Sequence, residues 1–172
     1  MKKINILSLI IALSMGFSAN AQKIIDSESI VKFTLENRGS EVTGTLGGMK
    51  GDVIFDKENL DKSSFNVTID ANTINTNNSK RDAHLNNEDF FETETYATIS
   101  FASAKIEKKE DKYIATGTLS MHGVSKDVAI LFSTIEEKGR QHLHGNFVLD
   151  HADYGIGKNR EVSITITCVV SK

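Results

Sequence analysis

The sequence predicts an all-β fold: one eight-stranded antiparallel up-and-down barrel, with one or two short helices between the third and fourth strands. Apolar and polar residues alternate with period two along most of the chain. The alternating runs are joined by short turn-like stretches, so consecutive strands can pair as a meander. Each run has one apolar and one polar face, the pattern of antiparallel strands with one wet side. Eight such strands close into a barrel without exposed edges.

Residues 1–21 are expected to be a secretory signal peptide. Lys2 and Lys3 begin it, Ile4 to Phe17 form an apolar run, and Ala19-Asn20-Ala21 is a small-residue cleavage signal. The run is shorter than the ~20 residues of a comfortable bilayer span. No cysteine follows it, so a lipoprotein signal is not expected. Residues 22–172 then form a single domain, long enough to bury a core without staples. The expected location is periplasmic or secreted, with no transmembrane segment in the mature chain.

In the first strand Val31, Phe33 and Leu35 alternate with Lys32, Thr34 and Glu36. Val42, Gly44 and Leu46 begin the second, which Gly47-Gly48 and Gly51 interrupt as a bulged bend. Phe65, Val67 and Ile69 mark the third. Alternation then stops, and Asn72 to Thr95 reads differently. Ser79-Lys80-Arg81-Asp82 is a capping box that starts a helix, with a second start at Asn86. Leu85, Phe90 and Phe91 would turn inward as a plug. Ile99 and Phe101 follow in the fourth strand, and the charged run Lys105–Lys112 is a solvated hairpin end. Leu119 and Met121 share the fifth strand with Tyr113 and Gly117. Ile130 and Phe132 lie in the sixth, Phe147 and Leu149 in the seventh with Gly145. Ile164 and Ile166 lie in the eighth, between Val162 and Cys168.

The formal charge of -3 becomes -5 without the two leader lysines. No basic patch remains, so nucleic acid is not an expected partner. Cys168, the one cysteine, cannot form an internal disulfide and reads as a small buried hydrophobe.

The apolar parity carries the functional question. An eight-stranded barrel can be filled by its side chains or can hold a small ligand. Gly44, Gly117 and Gly145 on the inner parity leave space. A pore lined by Leu, Ile, Phe and Met suits an alkyl or isoprenoid chain. The residues alone leave both outcomes open.

Conventional chemistry concentrates in Ser79–Phe91. Asp82, His84 and Glu88 could serve a metal-dependent or acid/base enzyme, but one His with two carboxylates is a poor zinc set and no nucleophile accompanies them. The structural alternative makes Asp82 a helix-start acceptor and lets Arg81 pair with a carboxylate or cap strand-end carbonyls. His142 and His144 point to solvent by parity. His122 reads as surface in a turn, and His151 as a rim residue. A third alternative is a ligand-free module that presents its outer strands or loops to an envelope partner.

The stretches "NTINTNNSKRDAHLNNEDFFETETYATISFASAKI", "GTLSMHGVSKDVAI" and "FVLDHADYGIG" resemble the YceI-like family of lipid/polyisoprenoid-binding proteins over nearly the whole mature chain. The early Trp of many relatives is missing, and His151 stands where the family carries an Arg before Asp153-Tyr154-Gly155. The resemblance implies an extended lipocalin-like barrel, usually exported, with no general catalytic activity and no cofactor. A long isoprenoid chain, such as a quinone tail, would occupy the pore for carriage or storage. Val31, Phe33, Leu35, Leu46, Val67, Ile69, Leu85, Phe90, Phe91, Ile99, Phe101, Leu119, Met121, Ile130, Phe132, Phe147, Leu149, Ile164 and Ile166 would line it. Arg81, His84 and His151 would be rim contacts. The expected partners are a long-chain lipid or isoprenoid and, at most, a second copy in a homodimer.

Overall fold

The computed structural model describes residues 21–158 and 160–171. The leader expected before them lies outside the described residues. The strands are β1 (Gln22–Lys23), β2 (Ile30–Asn37), β3 (Ser40–Ile54), β4 (Ser64–Asn75), β5 (Thr98–Lys109), β6 (Lys112–Met121), β7 (Val124–Glu137), β8 (Arg140–Asp150) and β9 (Glu161–Ser171). One α-helix, α1 (Ser79–Asn86), lies between β4 and β5. All pairings are antiparallel, in the order β1-β3-β2-β9-β8-β7-β6-β5-β4, and a β3–β4 pairing closes the ring. The two-residue β1 pairs antiparallel beside the end of β3, Gln22 with Val53, and the next residues, Ile24 and Ile25, bond to the end of β9. Eight long strands therefore make a closed antiparallel barrel, as the alternation predicts.

Closure depends on the bend in β3. Its register against β4 shifts between Thr45 and Gly47 and again between Gly47 and Lys50. Gly51 has φ +122°, and a Cβ there would sit 2.1 Å from the Asn66 carbonyl oxygen. Only glycine allows that backbone approach. The bend lets one strand pair with β2 along its first half and with β4 along its second. Tight hairpins do the rest. Arg38-Gly39, His122-Gly123 and Lys138-Gly139 each place two consecutive residues at positive φ, the two-residue turn whose twist suits paired strands.

The two barrel ends differ. Phe55, Phe65, Tyr113 and Phe132 meet at one end, with ring centroids 4.9–5.5 Å apart in the Phe55–Tyr113, Phe55–Phe132, Phe65–Phe132 and Tyr113–Phe132 pairs. At the other end Leu119, Met121, Tyr154 and Ile156 are buried, with Phe90 and Phe91 packed against them.

Three local expectations need correction. β4 continues to Asn75, burying Ala71 and Ile74. Its register shift against β3 breaks the alternation and hides these residues from a period-two search. The cap of α1 is Asn78, whose side chain accepts from Arg81 N at 3.1 Å; Ser79 is the first helical residue. Among the described residues no second helix starts at Asn86. The amides of Phe90 and Glu92 both turn back to the Asn87 carbonyl, at 3.0 Å each, and Phe91 N bonds to Leu85 O.

Gly51→Ala should cost at least about 2 kcal/mol, because strain at positive φ adds to backbone overlap. Gly39→Ala, with φ +77° but nothing within 4 Å of its Cβ, should cost about 1 kcal/mol. Urea unfolding of the two variants checks the difference.

Candidate functional site: an apolar cavity open at one end

Inward parity builds the site. Along β2, Val31, Phe33 and Leu35 face in. Phe33 pairs with Ile164, and Val31 with Ile166, across to β9. Phe147 sits opposite Ile164 on β8, and Leu149 opposite Val162. Around the ring, Val67 opposes Phe101 and Ile69 opposes Ile99. These walls enclose a cavity of about 900 Å³. Every interior residue expected from the sequence lines it, including Leu46, Leu119, Met121, Ile130 and Phe132, and the helix-loop residues Leu85, Phe90 and Phe91.

The cavity is unfilled by side chains. Phe33, Leu46, Ile69, Leu119, Met121, Ile130 and Phe132 are buried. Val31, Val67, Phe101, Phe147, Leu149, Ile164 and Ile166 face the same interior yet are only half-buried. In a close-packed core these inward residues would have no accessible surface left. Of the three glycines on the inner parity, Gly145 lines the cavity. The Phe33 ring occupies the space at Gly44, and the β5 backbone that at Gly117.

The exposed lining residues are Arg38, His84, Asp89, Gly157 and Lys158. They lie beside the β2–β3 turn, on and after α1, and in the β8–β9 loop, all at one barrel end. The cavity opens there, so the half-buried Leu85, Phe90 and Phe91 line the mouth and do not plug it as the sequence predicts, and the cavity is blind at the Phe55–Phe132 end. Arg81 and His151 also line it, so each rim residue expected from the sequence is at the mouth.

A polar frame holds the mouth. Thr76 at the end of β4 donates its backbone N–H and its hydroxyl to Asp82 Oδ1, at 2.9 and 2.5 Å. Arg81 returns the connection, donating Nε to Thr76 Oγ1 at 2.7 Å and a terminal nitrogen to Thr76 O at 2.9 Å. Arg81 thus caps a strand-end carbonyl. Asp82 serves the strand end, not the helix start as the sequence suggested. The His84 ring packs edge-on against Phe90, centroids 4.8 Å apart. In the β8–β9 loop, Asp150 Oδ1 accepts from Arg160 N at 3.0 Å and Ala152 N at 2.9 Å. These amide bonds, Arg160 first, hold its carboxyl below the ordinary 3.8. The Arg160 guanidinium reaches across to Asn37 Oδ1, and His151 Nδ1 donates to the Ile156 carbonyl.

His122 is not a surface residue. Its side chain is 17% exposed. Nδ1 donates to Tyr154 O at 3.0 Å, since a carbonyl only accepts, and the ring packs edge-on against Tyr96. Turn position alone misled, because loops fold back over this end. His142 and His144 are half-buried and stack on each other; neither lines the cavity.

Among the described residues no three His, Cys, Asp or Glu side chains are placed to hold a metal ion. Asp82, His84 and Glu88 do not converge. Among those residues no helix is long and apolar enough to cross a membrane. Sequence reasoning did not select the cavity residues Arg38, Lys158 and Arg160, which lie in or beside turns without periodicity. It also passed over Met49 and Val53, where the β3 bend resets parity. Phe65, Val162 and Cys168 carried a usable signal, since they extend runs already seen to alternate.

The YceI-like domain family matches residues 23–171. A UPF0312 protein of Photorhabdus laumondii is 33% identical over 125 residues, covering 72% of this chain and 65% of its own length. Protein YceI of Escherichia coli O157:H7 is 34% identical over 121 residues, covering 68% of this chain and 63% of its own length. The match to these two relatives thus spans less than two thirds of their length. Among solved structures, BcnA of Burkholderia cenocepacia superposes with TM-score 0.80 at 20% identity, covering 85% of this chain and 98% of that one. A polyisoprenoid binding domain from Saccharophagus degradans gives 0.69 at 14% identity, covering 88% and 98%. At these identities the structural likeness shows the barrel fold.

Burial pushes the Cys168 thiol up to about 12, against a smaller opposing effect of its Ser29 hydrogen bond. The native protein should therefore react with iodoacetamide at pH 8 about a thousandfold more slowly than the urea-unfolded chain. The Asp150 bonds should be fully present above pH 3.8 and lost as pH falls through its lowered value. Hydrogen exchange at the Ala152 and Arg160 amides should accelerate, relative to neighbouring strand amides, only below that range.

Proposed function

Because the chain belongs to the YceI-like domain family, we propose that it is an exported, non-catalytic lipid-binding protein that holds a polyisoprenoid tail, or a similar long apolar chain, inside its barrel. The observation that carries this proposal is the set of inward apolar residues left half-buried around an open cavity of about 900 Å³. Burial of a chain there releases water from both surfaces, worth ~0.8 kcal/mol per CH₂ before the costs of binding. With almost no polar group on the inner walls, selectivity would rest on length and girth. The mouth offers Arg81, His84 and His151, with Arg38, Lys158 and Arg160, to a polar head group left outside.

The Saccharophagus degradans neighbour described as a polyisoprenoid binding domain supports the ligand class through its shared fold, and this chain's own lining supports it independently. The basic-then-apolar start of the sequence supports export to the periplasm or beyond. Carriage or storage of the lipid in the cell envelope is the role that fits both.

Expression with the leader intact, followed by native mass spectrometry and organic extraction, tests the proposal. The expected result is a stoichiometric isoprenoid or long-chain lipid that dissociates on unfolding. A homogeneous ligand-free protein that also fails to take up added lipid would contradict it.

A further inference from the structure

We infer that the aromatic cluster at the blind end is a length gauge: it sets the longest tail the cavity accepts, with Phe65 and Phe132 as the stop and Ala115 as the spacer above it. This rests on the lipid-holding reading and specifies which lipids satisfy it. Strand ends fix the direction. Met121 ends β6 at the mouth, and Leu119, Gly117 and Ala115 step down the same strand towards Tyr113. Met121 to Ala115 measures about 20 Å along an extended strand. On β7, Ile130 lies above Phe132. On β4, Ile69 and Val67 lie above Phe65, which follows the first residue of the strand. Phe65 and Phe132 face the cavity; Phe55 and Tyr113 stand behind them and do not line it.

The stop is braced. Phe132 is 3% exposed. It meets Phe65 at 5.3 Å, Phe55 at 5.5 Å and Tyr113 at 5.4 Å between centroids. A ring held on three sides by other rings cannot swing aside without unpacking them. The mouth has no such block, since exposed residues line it. A tail entering there gains contact with each added unit until it meets Phe132. Beyond that length further units must remain in water or buckle the chain. Ala115 is 1% exposed, lines the cavity and pairs with Ile130, directly above the Tyr113–Phe132 pair. Its methyl leaves the last stretch of the cavity wide.

A graded series of linear isoprenoid alcohols, ranked by competition with a fluorescent fatty acid, tests the gauge. For the wild type, affinity should climb with length, by at most about fourfold per added CH₂, and then stop climbing at a defined length. Phe132→Ala and Phe65→Ala should move that limit upward by at least one isoprene unit, and Ala115→Met should move it downward. Phe132→Leu, a gentler change, keeps the test available if a truncation fails to fold; its limit should shift in the same direction. Phe101→Ala, on the wall, should weaken all lengths and leave the limit in place. A limit unmoved in folded floor variants, or a wild type with no limit, overturns the gauge alone. Failure of every alcohol to bind wild-type protein overturns the lipid-holding proposal and the gauge with it.

Discussion

The double pairing of β3 is the constraint on which the barrel depends. Its first half bonds to β2 and its second to β4. Without the bend between, the sheet would end in two long free edges, with unpaired amides and carbonyls open to other chains. The register shift runs through Gly48, at φ +68°, and just past it Gly51 lets the strand approach the Asn66 backbone, where a side chain would collide. Closure then converts a period-two pattern into an inside and an outside. Each strand must show one face to the interior and the other to water, and a one-residue slip would exchange them.

A closed ring of eight strands encloses a fixed volume, and this sequence declines to fill it. Phe33, Leu46 and Ile130 are buried, but Val67, Phe101, Phe147 and Ile164 keep accessible surface on the inside. Empty apolar space costs stability. Here it is tolerated because packing is concentrated elsewhere. The Phe55–Phe65–Tyr113–Phe132 cluster closes one end, and Tyr154 with Ile156 consolidates the rim of the other. The polar residues of the helix segment support the rim: Thr76, Arg81 and Asp82 fasten α1 to the end of β4.

Much of this was legible in the sequence wherever the strands run straight. Residues such as Val31, Phe33, Ile164 and Ile166 declare their face by alternation alone. Legibility failed where the backbone changes phase. Met49 and Val53 follow the β3 bend, and Ile74 follows the register shift in β4, so their inward placement contradicts a simple count. It failed again at the mouth, where Arg38, His122, Lys158 and Arg160 are assembled by loops that fold back on one another. Local sequence specifies such turns but not what they will meet. Asp82 illustrates the difference. It does bond backbone at the end of an element, yet at the end of the preceding strand and not in its own helix, a choice only the tertiary packing determines.

The central claim is that the inward apolar face, and not the outer surface, holds a lipid. Nuclear Overhauser contacts between side-chain methyls and a ¹³C-labelled isoprenoid test it most directly. The account predicts contacts to Val31, Val67, Ile164 and Ile166, and none to the exposed Ile135 and Val148 on the outside. Contacts confined to Ile135 and Val148, with the inward methyls silent, would contradict it.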